Sequence, residues 1–278
     1  MSISETANSE APKPKKSMVI ENLDPDDRLL RISFPKIIEE HIDRYRLVAE
    51  RLKDRIHEQL TIIDTASGRG YGSAILSEDF PNAKIVAGFE IGMAYTRKAK
   101  DKYARGNEHA LRFVQADVVS SPVQSESADI ITGFEITEHI EKGLQKQYIE
   151  ELYRVLKPGG TTFVSIPHRY SFEVNKKGET VRSGLHANPH HLYEPTRDEI
   201  KDRFSSVGFS IQEELGQIVV SPEEAEAMRK INKVIPIWPI FAWHPGQDVS
   251  VKHIPEGKIA LTHIFILNKP VEIPTNTK

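Results

Sequence analysis

The chain has 278 residues, 38% of them hydrophobic and 28% charged, which suffices for one sizeable core and excludes both a disordered acidic tail and a fibre. Lys and Arg (37) against Asp and Glu (40) give a net charge of −3, which argues against retention on nucleic acid or anionic lipid by bulk charge and makes small-molecule partners the expectation. Cysteine is absent, so disulfides, thiolate nucleophiles and sulfur-held zinc are excluded and any metal site must use His, Asp or Glu.

Residues 1–17 are rich in Ser, Glu, Pro and Lys and read as a mobile tail ahead of one domain over 18–278. With no apolar signal core there, and no apolar run of the roughly 20 residues that a bilayer span needs, the expected compartment is the cytoplasm. Ile38, Ile42, Tyr45, Ala49, Leu52 and Ile56 recur at steps of three and four, which predicts a leading helix over about residues 36–58. Strand and helix signals then alternate. Strands are predicted at Thr61–Asp64, Lys84–Glu90, Leu111–Gln115, Ala128–Gly133 and Thr161–Ile166. Helices are predicted up to about Ser77, near Tyr95–Ala104 and across Leu144–Leu156, the last stopped by Lys157-Pro-Gly-Gly160. Thr196 with Glu199 is a capping box for a further helix closed by Gly208, and Phe209–Val220 and Leu261–Leu267 complete the strands. This rhythm predicts an α/β fold, a doubly wound and mainly parallel sheet covered on both faces. Residues 221–257 interrupt it with Trp238, Trp243 and the prolines Pro236, Pro239, Pro245 and Pro255, a rigid insertion before the last strand that is either a self-packed surface loop or a lid.

The chemistry is concentrated at Ile62-Ile-Asp-Thr-Ala-Ser-Gly-Arg-Gly-Tyr-Gly72, an apolar strand that ends in an acid and then a turn with glycine at 68, 70 and 72. Such a turn lets the backbone approach a ligand and aims the amides of the next helix at it. The dinucleotide fingerprint is Gly-x-Gly-x-x-Gly, which these glycines do not match, so a nicotinamide oxidoreductase is disfavoured. An acid four residues before the first glycine suits an ammonium group.

At these residues the chain resembles the class I S-adenosylmethionine-dependent methyltransferases over roughly residues 38–215. The resemblance implies a seven-stranded Rossmann-like sheet and S-adenosylmethionine as cofactor. It implies that Asp64, Ala66, Ser67, Gly68 and Gly70 form the first cofactor loop, with Ala66 in place of the family's first glycine. Glu90 would then take both ribose hydroxyls and Asp117 the adenine amino group, with Ile91 and Val118 on either side of the ring. Phe134 and Glu135, at the end of the fourth strand, would line the methionine end. His41-Ile-Asp-Arg-Tyr45 is similar to the leading helix of methyltransferases of bacterial glycan and secondary-metabolite pathways. There Arg44 and Tyr45 would touch the cofactor; the other reading makes Arg44 a solvated charge and Tyr45 a core residue.

Of eleven histidines, five fall between His139 and His191, on the acceptor side of such a sheet. Glu135-Ile-Thr-Glu-His139 and the later Asn188-Pro-His-His-Leu-Tyr-Glu-Pro-Thr-Arg197 are similar to elements of small-RNA 3′-terminal 2′-O-methyltransferases. That similarity implies Glu135, Glu138, His139 and His191 as ligands of a divalent metal such as magnesium or manganese. His139, His168 and His191 are the candidate general bases. The expected activity is O-methylation of a hydroxyl on a sugar or other small metabolite. Alternatives are metal-assisted methylation of an RNA 3′ end and, from another class, a non-catalytic cofactor-binding regulatory module.

Overall fold

The computed structural model describes residues 35–105, 110–168, 173–174, 180–181, 191–225 and 248–271. The predicted N-terminal tail, and both tryptophans of the predicted insertion, lie outside them. In chain order the elements are α1 (Pro35–Arg51), β1 (Thr61–Thr65), α2 (Tyr71–Asp79), β2 (Ile85–Glu90), α3 (Met93–Ala99), β3 (Leu111–Gln115) and β4 (Ala128–Phe134). They continue with α4 (Gln145–Val155), β5 (Leu156–Pro167), α5 (Arg197–Val207), β6 (Ser210–Val220) and β7 (Ile259–Asn268). No helix among the described residues is long and apolar enough to cross a membrane.

These seven strands form one sheet in the order β3-β2-β1-β4-β5-β7-β6, and Glu173–Val174 pairs antiparallel with Thr180–Val181 apart from it. The pairings from β3 to β5 are parallel, whereas β7 runs antiparallel to both β5 and β6. Because successive strand residues point to opposite faces, Ile62 and Ile63 enter two different cores. Ile62 joins Val48, Leu76, Phe80 and Phe163 under α1 and α2, and Ile63 joins Tyr148, Leu152, Phe204 and Phe265 under α4 and α5. Strand order reverses between β1 and β4, so the crevice for a ligand opens at the carboxyl ends of these strands.

The leading helix stops at Arg51, short of residue 58, and a single 3₁₀ turn over Lys53–Arg55 follows. Leu52 and Ile56 still pack on the same core from this looser segment, which is why their spacing reads as helix. The helix predicted to Ala104 is α for Met93–Ala99 and π for Lys100–Ala104. At the other end of the sheet, α4 gives way at Leu156 and the Pro-Gly-Gly segment is already strand. Gly159 donates its N–H to the Lys269 carbonyl and Gly160 accepts from the Lys269 N–H. The capping box forms as predicted: the Thr196 hydroxyl accepts from the Glu199 N–H, the Glu199 carboxylate accepts from the Thr196 N–H, and Gly208 closes α5 in the left-handed conformation. Of the insertion, the part after residue 247 returns to the sheet, with Lys252 bridging antiparallel to Gly216.

Candidate functional site

The glycine turn after β1 sits at the sheet's carboxyl edge and is built on left-handed backbone: φ is +54° at Ala66, +53° at Gly68 and +86° at Gly70. Ala66 therefore holds a conformation suited to glycine, which strains an L-residue by about 1–2 kcal/mol. A Cβ on Gly70 would lie 2.6 Å from the Phe113 ring, so β3 closes over the turn. Gly72 has a different task from the one its place in the motif implies. The Tyr45 ring of α1 occupies the space where its Cβ would stand, so the residue seats the leading helix on α2.

Asp64 is fully buried. Its carboxylate accepts from the hydroxyls of Ser73 (2.7 Å), Thr132 (2.8 Å) and Tyr45 (3.2 Å), one each on α2, β4 and α1. Burial raises its pKa to about 6, against the pull of those three hydroxyls. The carboxylate assigned from sequence to an ammonium group is thus turned inward, where it ties three elements to the tip of β1. Glu90 is turned toward the crevice loops instead: one oxygen accepts from the Gly92 N–H (2.7 Å), the other from the Gly68 N–H (3.1 Å). Ser67 donates its N–H to the Phe89 carbonyl, while its buried hydroxyl oxygen has no hydrogen-bond partner. Ile91 is exposed, Val118 half-buried, and Asp117 is exposed with one oxygen accepting from the Val119 N–H. All of these stand at the ends of β1, β2 and β3, as the sequence predicts.

Beyond the end of β4 the polar groups are more deeply enclosed. Tyr45 is core, meeting Phe134 edge to face at 5.0 Å and Tyr71 at 5.7 Å. Arg44 is no solvated charge: only 1% exposed, it is paired with Glu40 one helical turn earlier and donates from Nε to Gln217 Oε1 (2.6 Å). Gln217 in turn donates to the carbonyls of Glu40 and Val249, and Thr262 donates to the Glu40 carboxylate. The remaining Arg44 nitrogen, Nη1, is buried without a hydrogen-bond partner, 3.8 Å from Glu135 Oε1. Glu135 has positive φ (+52°), and its carboxylate accepts from the Ser165 hydroxyl (2.7 Å).

The predicted four-ligand set separates here. Glu138, His139 and His191 each bring a ligand atom within 4.8 Å of the others, and Glu135, engaged with Ser165 and beside Arg44, is not of that group. Both Glu138 oxygens are buried without a hydrogen-bond partner, and burial, aided by the negative charge of Glu135, raises its pKa well above the usual carboxylate range. The Leu192 and Tyr193 N–H groups donate to the Glu138 carbonyl, and Gln145 of α4 donates to the carbonyls of Thr137, Ile140 and Tyr193. These bonds hold the His191 segment on the turn after β4, so His139 and His191 meet edge to face at 4.9 Å. Glu194 completes the arrangement, 2.6 Å from His191 Nδ1. It was not singled out from sequence, although its spacing of three from His191 was the available signal. His168 follows β5 and donates its N–H to the Leu261 carbonyl.

The sequence profile described as a methyltransferase domain matches residues 62–160, from β1 into β5. A protein of Mycolicibacterium smegmatis named as a probable S-adenosylmethionine-dependent methyltransferase is 25% identical over 186 residues, covering 66% of this chain and 65% of its own. The match thus spans slightly less than two thirds of that relative. Among solved structures, the YcgJ protein of Bacillus subtilis superposes with a TM-score of 0.55 at 16% identity, over 83% of this chain and 99% of that one. The [4+2]-cyclase SpnF superposes with a TM-score of 0.51 at 18% identity, over 81% and 83%. Likeness at this level shows the fold, and the cyclase illustrates that the fold alone does not fix the reaction.

Proposed function

We propose that this chain is a class I S-adenosylmethionine-dependent methyltransferase, as its similarity to that family supports, and that it methylates a hydroxyl of a sugar or other small metabolite. The observation that carries the reading is that imidazoles stand past the ends of both β4 and β5, at the same carboxyl edge as the cofactor loops: His139, in contact with His191, after β4, and His168 after β5. An amine acceptor would need no such groups, whereas a hydroxyl must lose a proton as it attacks.

The residues at the crevice suit the cofactor. Glu90 has lone pairs for two ribose hydroxyls, Ser67 has a buried hydroxyl without a partner, and exposed Ile91 supplies an apolar surface for a purine. Bound there, S-adenosylmethionine supplies an electrophilic sulfonium methyl group. The protein's part is to align the acceptor with that methyl and to keep water out. His168 is the base for the acceptor proton, because His139 and His191 are drawn into the group around Glu138. A divalent ion, magnesium or manganese, is a second element of the proposal, held by Glu138, His139 and His191. The support for it is that both oxygens of a buried carboxylate lack donors beside two imidazoles. Such an ion would polarise the acceptor hydroxyl.

The test is methyl transfer from labelled cofactor to a panel of hydroxylated metabolites, amines and a short RNA with a 3′ diol, with and without added manganese. The expected result is label in a hydroxylated small molecule, lost in the His168→Asn protein. Label confined to amines or to the RNA, or none from a protein that binds the cofactor, would overturn the reading. Glu138→Gln should abolish any manganese stimulation while leaving cofactor affinity in place.

A further inference from the structure

On the α4 and α5 side of the sheet a line of polar groups runs from the start of α5 to the end of β5. Arg197 donates to both carboxylate oxygens of Glu214, from Nε at 2.5 Å and from a terminal nitrogen at 2.6 Å. Glu214 Oε1 lies 3.1 Å from His263 Nδ1, and His263 Nε2 lies 2.8 Å from His168 Nδ1. These residues come from α5, β6, β7 and the segment after β5, so no sequence spacing connects them. We propose that Glu214 and His263 are positioning residues that fix the tautomer of His168 and share the proton it takes from the acceptor hydroxyl. The inference rests on the reading of His168 as the base.

The argument follows donors and acceptors along the line. An ionised carboxylate only accepts, so His263 must carry its proton on Nδ1 to bond Glu214. In the neutral form of the ring the lone pair is then on Nε2. That nitrogen can only accept, so the proton between the two rings sits on His168 Nδ1, and the His168 lone pair is on Nε2. Burial works against ionisation of Glu214, but hydrogen bonds from His263 and Arg197 outweigh it and bring its pKa down to about 2. The carboxylate is therefore charged at every pH at which the enzyme would work.

His263 is 3% exposed, and the Phe265 ring stacks beside it with Phe204 of α5 behind, so the relay lies in a low-dielectric wall. The charged groups facing it among the described residues are Glu214 of β6, Arg197 of α5 and, 3.5 Å from Glu214, Lys201 of the same helix. In the transfer, the acceptor oxygen bonds to the methyl carbon as the carbon–sulfur bond breaks, sulfur keeping the electron pair. The hydroxyl proton goes to His168 Nε2. The Nδ1 proton can then move to His263 Nε2, which places the positive charge on the ring in contact with Glu214. Release of the proton to water restores the starting tautomers.

Nitrogen-15 spectra of uniformly labelled protein, assigned by loss of signals in His168→Asn, read the tautomer without any turnover. The expected pattern for neutral His168 is a protonated Nδ1 and an unprotonated Nε2, and the opposite pattern would overturn the relay. In turnover on the acceptor found in the panel, His263→Gln and Glu214→Gln should each lower kcat by roughly tenfold or more with the cofactor KM unchanged. Each should also move the acidic limb of the kcat profile down by about one pH unit, because the imidazolium loses its partner charge. The double variant should be no worse than His263→Gln alone. If His168→Asn leaves turnover intact, the assignment of the base fails and the relay with it. If His168→Asn abolishes turnover but His263→Gln changes neither kcat nor the pH limb, the base stands and the relay is overturned.

Discussion

The two halves of the sheet's carboxyl edge treat their carboxylates differently. Over β1, β2 and β3 the carboxylates are satisfied: Asp64 by three hydroxyls, Glu90 by two backbone N–H groups, Asp117 by the Val119 N–H. Past the end of β4, the protein encloses Glu138 and one nitrogen of Arg44 without hydrogen-bond partners, although an unsatisfied buried group costs on the order of 1–3 kcal/mol or more if charged. The first half meets these carboxylates and leaves the buried Ser67 hydroxyl without a partner. The second keeps polar atoms unmet at the place where an acceptor and an ion would arrive, as expected of a site that gives up some stability for function.

The contrast should be measurable, most strongly at Arg44. Arg44→Met would strand Glu40 in the core beside Thr262, and the expected loss is about 3–5 kcal/mol in urea denaturation. Replacing Glu40 by Leu in the same protein should recover much of it. A loss below 1 kcal/mol would mean that the Arg44–Glu40 pair is not enclosed as described.

Asp64 provides the counterpart in the first half. Its folded pKa of about 6 lies above the ordinary 3.8, so the native state holds the proton more tightly than the unfolded chain. The corresponding stability is fully present below pH 4 and is lost as pH rises through 6, an effect of about 3 kcal/mol for a shift of about two units. Asp64→Asn should lack that component, so its stability relative to the parent should improve between pH 4.5 and 7. A difference that stays flat over this range would contradict the burial of Asp64. The smallest effect is expected at Ala66, where glycine removes the left-handed strain but adds chain entropy; Ala66→Gly should stabilise by up to about 1 kcal/mol with cofactor affinity unchanged.

The sequence makes the first half legible because each group there is local to its strand. The glycine turn, Glu90 and Asp117 each follow an apolar run, and the order of the runs places them side by side. In the second half the determining contacts join residues far apart in the chain. Arg44 reads from sequence as either a cofactor contact or a solvated charge until Gln217 is brought to it and Thr262 to its partner Glu40, and Glu135 is implied as a ligand by resemblance until Ser165 is seen to bond it. The Gly72 motif position misleads for the same reason, since the space it leaves is filled by a ring from α1. The grouping of Glu138, His139 and His191 was nonetheless visible, because a short turn and a single later histidine carry it.

The central claim is that cofactor binding belongs to the first half and proton removal to the second. Calorimetric titration of the demethylated cofactor into the parent protein, Glu90→Ala and His168→Asn tests it most directly. The parent and His168→Asn should bind alike, and Glu90→Ala should bind at least tenfold more weakly, a loss of about 1.4 kcal/mol or more. Equal binding by all three proteins, or no heat from the parent, would contradict the account.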